Sequence, residues 1–250
     1  MTKVVVDLTG KIALVTGGTR GIGKAIADKF LEAGCFVYVT GTRKEEIEKL
    51  NAACETDKLE YLYANFSSED GIVEFAKKIQ TFEKIDIVVN NAGINKIDLN
   101  VDTTLEDYNL LTEVNLKAPY VIAKEASKIM KKKGYGRIVN ITSIWSSITR
   151  PGRSIYTATK WGIAGLTKTL SVELAADGIL VNSVGPGFTL TELTANTNTP
   201  EEIEKLAEII PIRRFAQPYE IANLVLFLCS ELNSYLTGQN LIIDGGYCNV

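Results

Sequence analysis

Apolar residues along this chain alternate between two rhythms. Residues 11–16 (KIALVT) form a short apolar run bounded by Gly10 and Gly17, which suits a buried parallel strand. Over residues 24–33 the apolar positions (Ile22 just before, then Ala25, Ile26 and Phe30) return at helical spacing until Gly34 stops them. Residues 36–40 read as a second strand, so the opening is a strand, Gly-rich turn, helix and strand. The alternation continues with a helix over 44–53, a strand over 59–64, a helix over 69–82 and a strand over 85–90. Two helices follow, from about 105 and over 117–132, then a strand over 137–141. Past the turn signal Arg150-Pro151-Gly152, the residues Trp161, Ile163, Leu166, Leu170 and Leu174 predict a helix running to about 176. Strand 180–184, helix 218–230 and strand 240–243 complete the series. Strands alternating with helices of ten or more residues imply an α/β fold, a parallel sheet covered on both faces.

No Pro/Gly/Ser linker, repeat or low-complexity tract interrupts the 250 residues, which therefore read as one domain, 1–250. One segment, 189–211, is polar and long for an α/β connection. It reads either as a lid over a site or as an irregular excursion.

Composition narrows the chemistry. With 46% hydrophobic and 23% charged residues the chain is an ordinary globular one, and a net charge of −3 leaves no footprint for nucleic acid. No apolar run reaches the roughly 18 residues of a membrane span. The four cysteines (Cys35, Cys54, Cys229, Cys248) are scattered without a CxxC pair, so neither a disulfide framework nor a zinc site is indicated and a reducing, cytoplasmic setting is expected. There is no histidine. Ser-His-Asp and Cys-His systems and His-ligated metals are thereby excluded, no metal site is expected, and acid/base work falls to Tyr, Lys, Asp, Glu or Cys.

Two clusters carry candidate chemistry. Gly17, Gly21 and Gly23, with Thr19, Arg20 and Ile22 between them, have the spacing GxxxGxG directly between a strand and a helix. Small residues there admit a pyrophosphate to a helix N-terminus, whose N–H groups point outward. The next strand ends Gly41-Thr42-Arg43, with no acid for an adenosine 2′-hydroxyl. Arg20 and Arg43 offer cations for a 2′-phosphate, so NADP (as NADPH) is favoured over NAD. The alternative is that Arg43 only opens an exposed helix. The second cluster is Tyr156 and Lys160, four apart on a predicted helix and hence on one face. A neighbouring ammonium lowers a phenol pKa from about 10 and equips the Tyr for proton transfer near neutral pH. An exposed pair on an amphipathic helix is the bland alternative.

Taken with Thr16, Asn90-Asn91-Ala92-Gly93, Asn115, Ser143 and Pro186-Gly187 with Thr191, the chain resembles the short-chain dehydrogenases/reductases over essentially its whole length. The resemblance implies a Rossmann-type doubly wound sheet of about seven mostly parallel strands. It implies a tetrad of Asn115, Ser143, Tyr156 and Lys160 that interconverts a ketone and a secondary alcohol. In that scheme Tyr156 moves the proton, Lys160 holds the nicotinamide ribose, Ser143 holds the substrate oxygen and Asn115 holds a water leading to solvent. Asn91, Ala92 and Gly93 would line the adenosine side, while Pro186, Gly187, Thr189 and Thr191 would orient the carboxamide. Asn65, followed by Phe66, stands where many relatives carry Asp, and its carbonyl oxygen can accept the adenine amino group. A homotetramer (or dimer) packed through helices 117–132 and 156–176 is also implied.

Within the family the likeness is to bacterial 3-oxoacyl-(acyl carrier protein) reductases. Lys133 suits an acidic carrier, but Asp177 stands where such relatives carry Arg, and like charge opposes an acidic partner. A free ketone, a sugar or polyol, or a nucleotide-linked sugar therefore competes as substrate. The polar and cationic residues between Trp145 and Arg153 suit a hydroxylated or anionic molecule. A catalytically dead cofactor-binding scaffold would show damage in the tetrad, and all four positions are intact.

Overall fold

The architecture is that of a computed structural model, which describes residues 6–192, 194 and 199–250. Strands β1 (Ile12–Val15), β2 (Phe36–Gly41), β3 (Leu59–Tyr63), β4 (Ile87–Asn90), β5 (Gly136–Ile141), β6 (Ile179–Pro186) and β7 (Asn240–Ile243) form one seven-stranded sheet. Their order is β3-β2-β1-β4-β5-β6-β7, and every neighbouring pair is parallel. The expectation of a mostly parallel sheet is met in full.

Alternation along each strand splits the core in two. On β1, Leu14 faces one way with Val88, Ile138 and Val181, whereas Ala13 and Val15 face the other with Val37, Val39, Ile87 and Val139. Helices α3 (Glu69–Gln80) and α5 (Ala118–Lys133) cover the first face through Ile72, Phe75, Ile122 and Met130. Helices α1 (Gly21–Glu32) and α8 (Pro218–Cys229) cover the second through Ile26, Phe30, Ile221 and Val225. Helix α6 (Ser154–Leu174) contributes Leu174 to the first face, and α2 (Lys44–Ala52) seals the β2–β3 edge with Ile47. The strand order reverses direction between β1 and β4, and in open parallel sheets the crevice at that switch, outside the carboxyl ends of the strands, is the ligand site.

Two segments differ from the periodicity. Helix α4 (Leu105–Thr112) does not stop before α5. A π turn, Glu113–Lys117, joins them with right-handed helical backbone on both sides. Pro119 brings no N–H to the carbonyl of Asn115, four residues back, and the wider turn absorbs the missing bond. The polar segment 189–211 is not loop throughout. It holds helix α7 (Pro200–Glu208), whose N-cap Thr199 accepts from Glu202 N while the Glu202 side chain accepts from Thr199 N. Leu193 and residues 195–198 of the expected lid lie outside the described residues. Both ends of the segment are tied together, since Leu190 N donates to Ala216 O at 2.8 Å and Ala216 N to Phe188 O at 2.9 Å.

Candidate active site

The loops after β1, β4, β5 and β6 converge at one edge of the sheet. After β1, Gly17 and Gly21 take positive φ (62° and 58°), which L side chains rarely adopt. Gly23 is needed for closeness, because a Cβ there would lie 2.4 Å from both Gly17 O and Asn91 Nδ2. The Asn91 amide donates to Thr16 O (2.9 Å) and Gly17 O (3.0 Å), and Thr16 Oγ1 accepts from the backbone of Asn91 and Ala92 (both 3.0 Å). Asn91 therefore ties the β4 loop to the glycine turn. At the start of α1, the N-cap Arg20 makes no side-chain cap bond and points to solvent. The first amides of the helix therefore have no side-chain cap.

The same short loop reaches Asn115 and Lys160. A Cβ on Gly17 would press on Ala92 Cα at 2.9 Å, and one on Gly93 would stand 3.4 Å from Asn115 Oδ1 and 3.6 Å from Lys160 Nζ. One residue thus separates the phosphate-type turn from the tetrad. Asn115 is 1% exposed, and the π turn aims it at the β4 loop, where it accepts from Ile94 N and donates to Ile94 O, both at 2.9 Å. Lys160, 5% exposed, donates to Ile141 O at 2.9 Å and lies 5.5 Å from the Tyr156 ring centroid. Ser143 follows β5, and its hydroxyl draws the Tyr156 phenol pKa downward. Its own loop is braced by Ser146 Oγ, which donates to Ser143 O (2.5 Å) and accepts from Asn240 Nδ2 (3.0 Å). Among the described residues no cluster of His, Cys, Asp or Glu could hold a metal, and no helix is long and apolar enough to cross a membrane.

With this geometry in place, likeness to known proteins decides the family. A family model described as Enoyl-(Acyl carrier protein) reductase matches residues 17–248. A 3-oxoacyl-[acyl-carrier-protein] reductase FabG from Aquifex aeolicus is 42% identical over 246 residues, 96% of this chain and 98% of that protein. The chain belongs to the short-chain dehydrogenase/reductase family. It is accordingly an oxidoreductase of CH–OH and C=O groups. Among solved structures, ElxO with NADP bound is 33% identical with a TM-score of 0.88, covering 96% of this chain and 99% of that one. A Burkholderia cenocepacia gluconate 5-dehydrogenase in complex with NADP and tartrate is 28% identical with a TM-score of 0.88, covering 98% and 97%.

Three of the expected groups sit in surroundings that residue spacing does not reveal. First, the Tyr156 phenol is not lowered. Burial pushes it above its ordinary value of 10, while the Ser143 hydroxyl and the Arg153 charge pull the other way. Lys160 is itself brought down to about 8 by burial, because taking an ammonium out of water disfavours its charge more than a phenol ring repays. Second, Asn65 Oδ1, expected to meet an adenine amino group, already accepts from Ser67 N (3.0 Å) and Ser67 Oγ (2.6 Å). Phe66 beside it is buried edge-to-face against Phe75, so its ring is core. Third, Arg43 is an exposed N-cap paired with Glu46 at 2.6 Å.

Thr19 and Gly41 adjoin, since a Cβ on Gly41 would meet Thr19 Cγ2 at 2.9 Å, and Thr42 is exposed beside them. Pro186 ends β6, and Gly187 passes so close to Asp244 that a Cβ would lie 2.7 Å from its Cα. Thr189 Oγ1 donates to Gly187 O (3.1 Å), and Thr191 Cγ2 sits 3.5 Å from the Cβ position of Gly21 across the turn. Sequence reasoning missed Thr159. It is buried between Asn115 Nδ2 (3.3 Å) and the Tyr156 carbonyl (2.7 Å) and links two tetrad members. Its place one residue before Lys160 is the signal that could have found it.

Proposed function

We propose that the protein is an NADP(H)-dependent oxidoreductase that interconverts a ketone and a secondary alcohol, with Tyr156 as general acid/base. The observation that carries this reading is the Asn91-Ala92-Gly93 loop, which touches the glycine turn at Ala92 and faces Lys160 and Asn115 at Gly93. When bound, the reduced nicotinamide supplies the hydride. Tyr156 gives its proton to the carbonyl oxygen in reduction and takes one back in oxidation. A phenol held above 10 is protonated at neutral pH, which suits the reductive direction. Ser143 hydrogen-bonds the reacting oxygen and steadies the charge that develops on it. Lys160, anchored on Ile141 O, holds the ribose, and Asn115 fixes the loop that carries Gly93.

Dinucleotide phosphates would lie on the Gly17–Gly23 turn and the open amides of α1, with Arg20, Thr42 and Arg43 at the 2′-phosphate. The NADP bound by ElxO and by the gluconate 5-dehydrogenase supports this choice. Pro186, Gly187, Thr189 and Thr191 would hold the carboxamide. The exposed Tyr120, Trp161 and Val172 on α5 and α6 (48%, 52% and 81%) support a homotetramer built on those helices, checked by light scattering in solution.

A second reading, reduction of a 3-oxoacyl group on acyl carrier protein, is favoured by the Aquifex relative, and Asp177 opposes it less than its charge alone would. That carboxylate pairs with Lys131 at 2.8 Å, which blunts its repulsion of an acidic carrier. Assays with NADPH and NADH, each against free ketones, an acetoacetyl thioester and the same group on acyl carrier protein, test both. The first reading expects NADPH-dependent turnover of free ketones without a carrier preference. Turnover confined to the carrier substrate would establish the second, and absence of any carbonyl reduction would remove both.

A further inference from the structure

Arg153 immediately precedes α6, three residues before Tyr156, and is only 7% exposed. Its Nε is buried without a hydrogen-bond partner. No described carboxylate lies within ion-pair distance of it, and the residues outside the described set contain no Asp or Glu. Arg137, the other buried arginine, is held differently. Its Nε is also unpartnered, but its other nitrogens donate to Gly136 O (3.0 Å) and Asn233 O (3.2 Å). Among the described residues Arg153 has no such carbonyls. Its guanidinium instead sits 5.5 Å from the ring centroid of the buried Trp145, and that of Arg150 sits 5.3 Å from the same ring. Two cations thus share one aromatic ring beside the proton-transferring Tyr, and the buried one lacks its counter-charge. A buried charge left without a partner is costly. A guanidinium fork on an aromatic face is also the geometry that recognises carboxylate or phosphate.

We propose that Arg153, backed by Arg150 and Trp145, binds an anionic group of the substrate, so that the preferred ketone or alcohol carries a carboxylate or phosphate on a carbon near the reacting one. This rests on Tyr156 meeting the reacting oxygen. It also separates the free-substrate reading from the carrier one, since a 3-oxoacyl thioester presents a neutral carbonyl beside its ketone.

The test compares pyruvate, acetoacetate and levulinate with their methyl esters, and dihydroxyacetone phosphate with dihydroxyacetone. Binding is read from Trp145 fluorescence in a Trp161→Phe background, and turnover from NADPH consumption. At least one anion is expected to bind saturably, and its kcat/KM to exceed that of its neutral counterpart by about 10-fold or more. The carboxylate and phosphate arms tell which anion is meant. Arg153→Gln should bring that ratio close to one, mainly through KM. Equal binding and turnover of acid and ester by the native enzyme would overturn the proposal even if Arg153→Gln failed to fold. So would an acid preference that survives Arg153→Gln, or a variant that loses NADPH affinity and keeps its ratio. Turnover of neutral ketones without any anion preference would sink this inference alone. No carbonyl reduction at all would sink the oxidoreductase reading, and the fluorescence titration would still decide whether Arg153 binds an anion.

Discussion

At the α1 end of the cleft Arg20 and Arg43 stand in solvent, and Arg43, with 71% side-chain exposure, is satisfied by Glu46. At the α6 end Lys160 and Arg153 are buried, one on a single backbone carbonyl and the other on an aromatic face. An exposed cation costs the fold almost nothing, and its surface ion pair adds little. A buried one opposes folding, so its retention points to chemistry. On the proposed reading the two ends divide the tasks: backbone amides and exposed charges for a polyanion, and desolvated groups for a proton and a substrate anion.

The contrast is sharpened first at Tyr156. Tyr156→Phe removes the proposed proton donor and should lower kcat by about 10²–10⁴-fold, while NADPH binding measured by fluorescence stays within about 3-fold. At the other end, Arg43→Ala should lower kcat/KM for NADPH by about 10- to 100-fold through loss of a charge-assisted bond and change NADH little. Equal losses with both dinucleotides would place Arg43 away from the phosphate.

Lys160 gives a prediction with a definite sign. Its folded-state pKa of about 8 lies below the ordinary 10.5, so the unfolded chain binds that proton more tightly. The charge costs stability fully below pH 8, and the cost fades as pH rises towards 10.5. Relative to the wild type, Lys160→Met should therefore be more favoured at pH 7 than at pH 10, by up to about 3 kcal/mol. Denaturant melts of both proteins at the two pH values check this; a pH-independent difference would mean that the ammonium is not desolvated. The smallest effect is expected at Glu46. Glu46→Gln frees Arg43 from its ion pair and should tighten NADPH about 2- to 3-fold, with no change for NADH.

Much of this was legible in the chain itself. The strands show because they are short, apolar and bounded by glycine, and Tyr156 and Lys160 show as a pair because helical spacing is rigid. The π turn at Asn115 was not legible, since it depends on one hydrogen bond that Pro119 cannot make and leaves the apolar pattern almost unchanged. Helix α7 was hidden by its polarity, although Thr199-Pro200-Glu201-Glu202 spells an N-cap, a proline at the first helical position and a capping box. The engagement of Asn65 by Ser67 and the upward push on Tyr156 depend on burial and close neighbours. Residue spacing carries neither. Arg153 was visible only as one of two cations between Trp145 and Tyr156; its isolation from every described carboxylate is a property of the folded chain.

Proton transfer by the Tyr156 phenol is tested most directly by single-turnover alcohol oxidation, followed by NADPH formation across pH 6–11 in the wild type, Arg153→Gln and Tyr156→Phe. The wild-type rate should climb with pH as the phenol loses its proton. In Arg153→Gln the climb should begin at higher pH, because the charge that lowers the phenol pKa is gone. In Tyr156→Phe the residual rate should lose that climb. A Tyr156→Phe profile that keeps the wild-type shape and most of its amplitude would show that another group moves the proton.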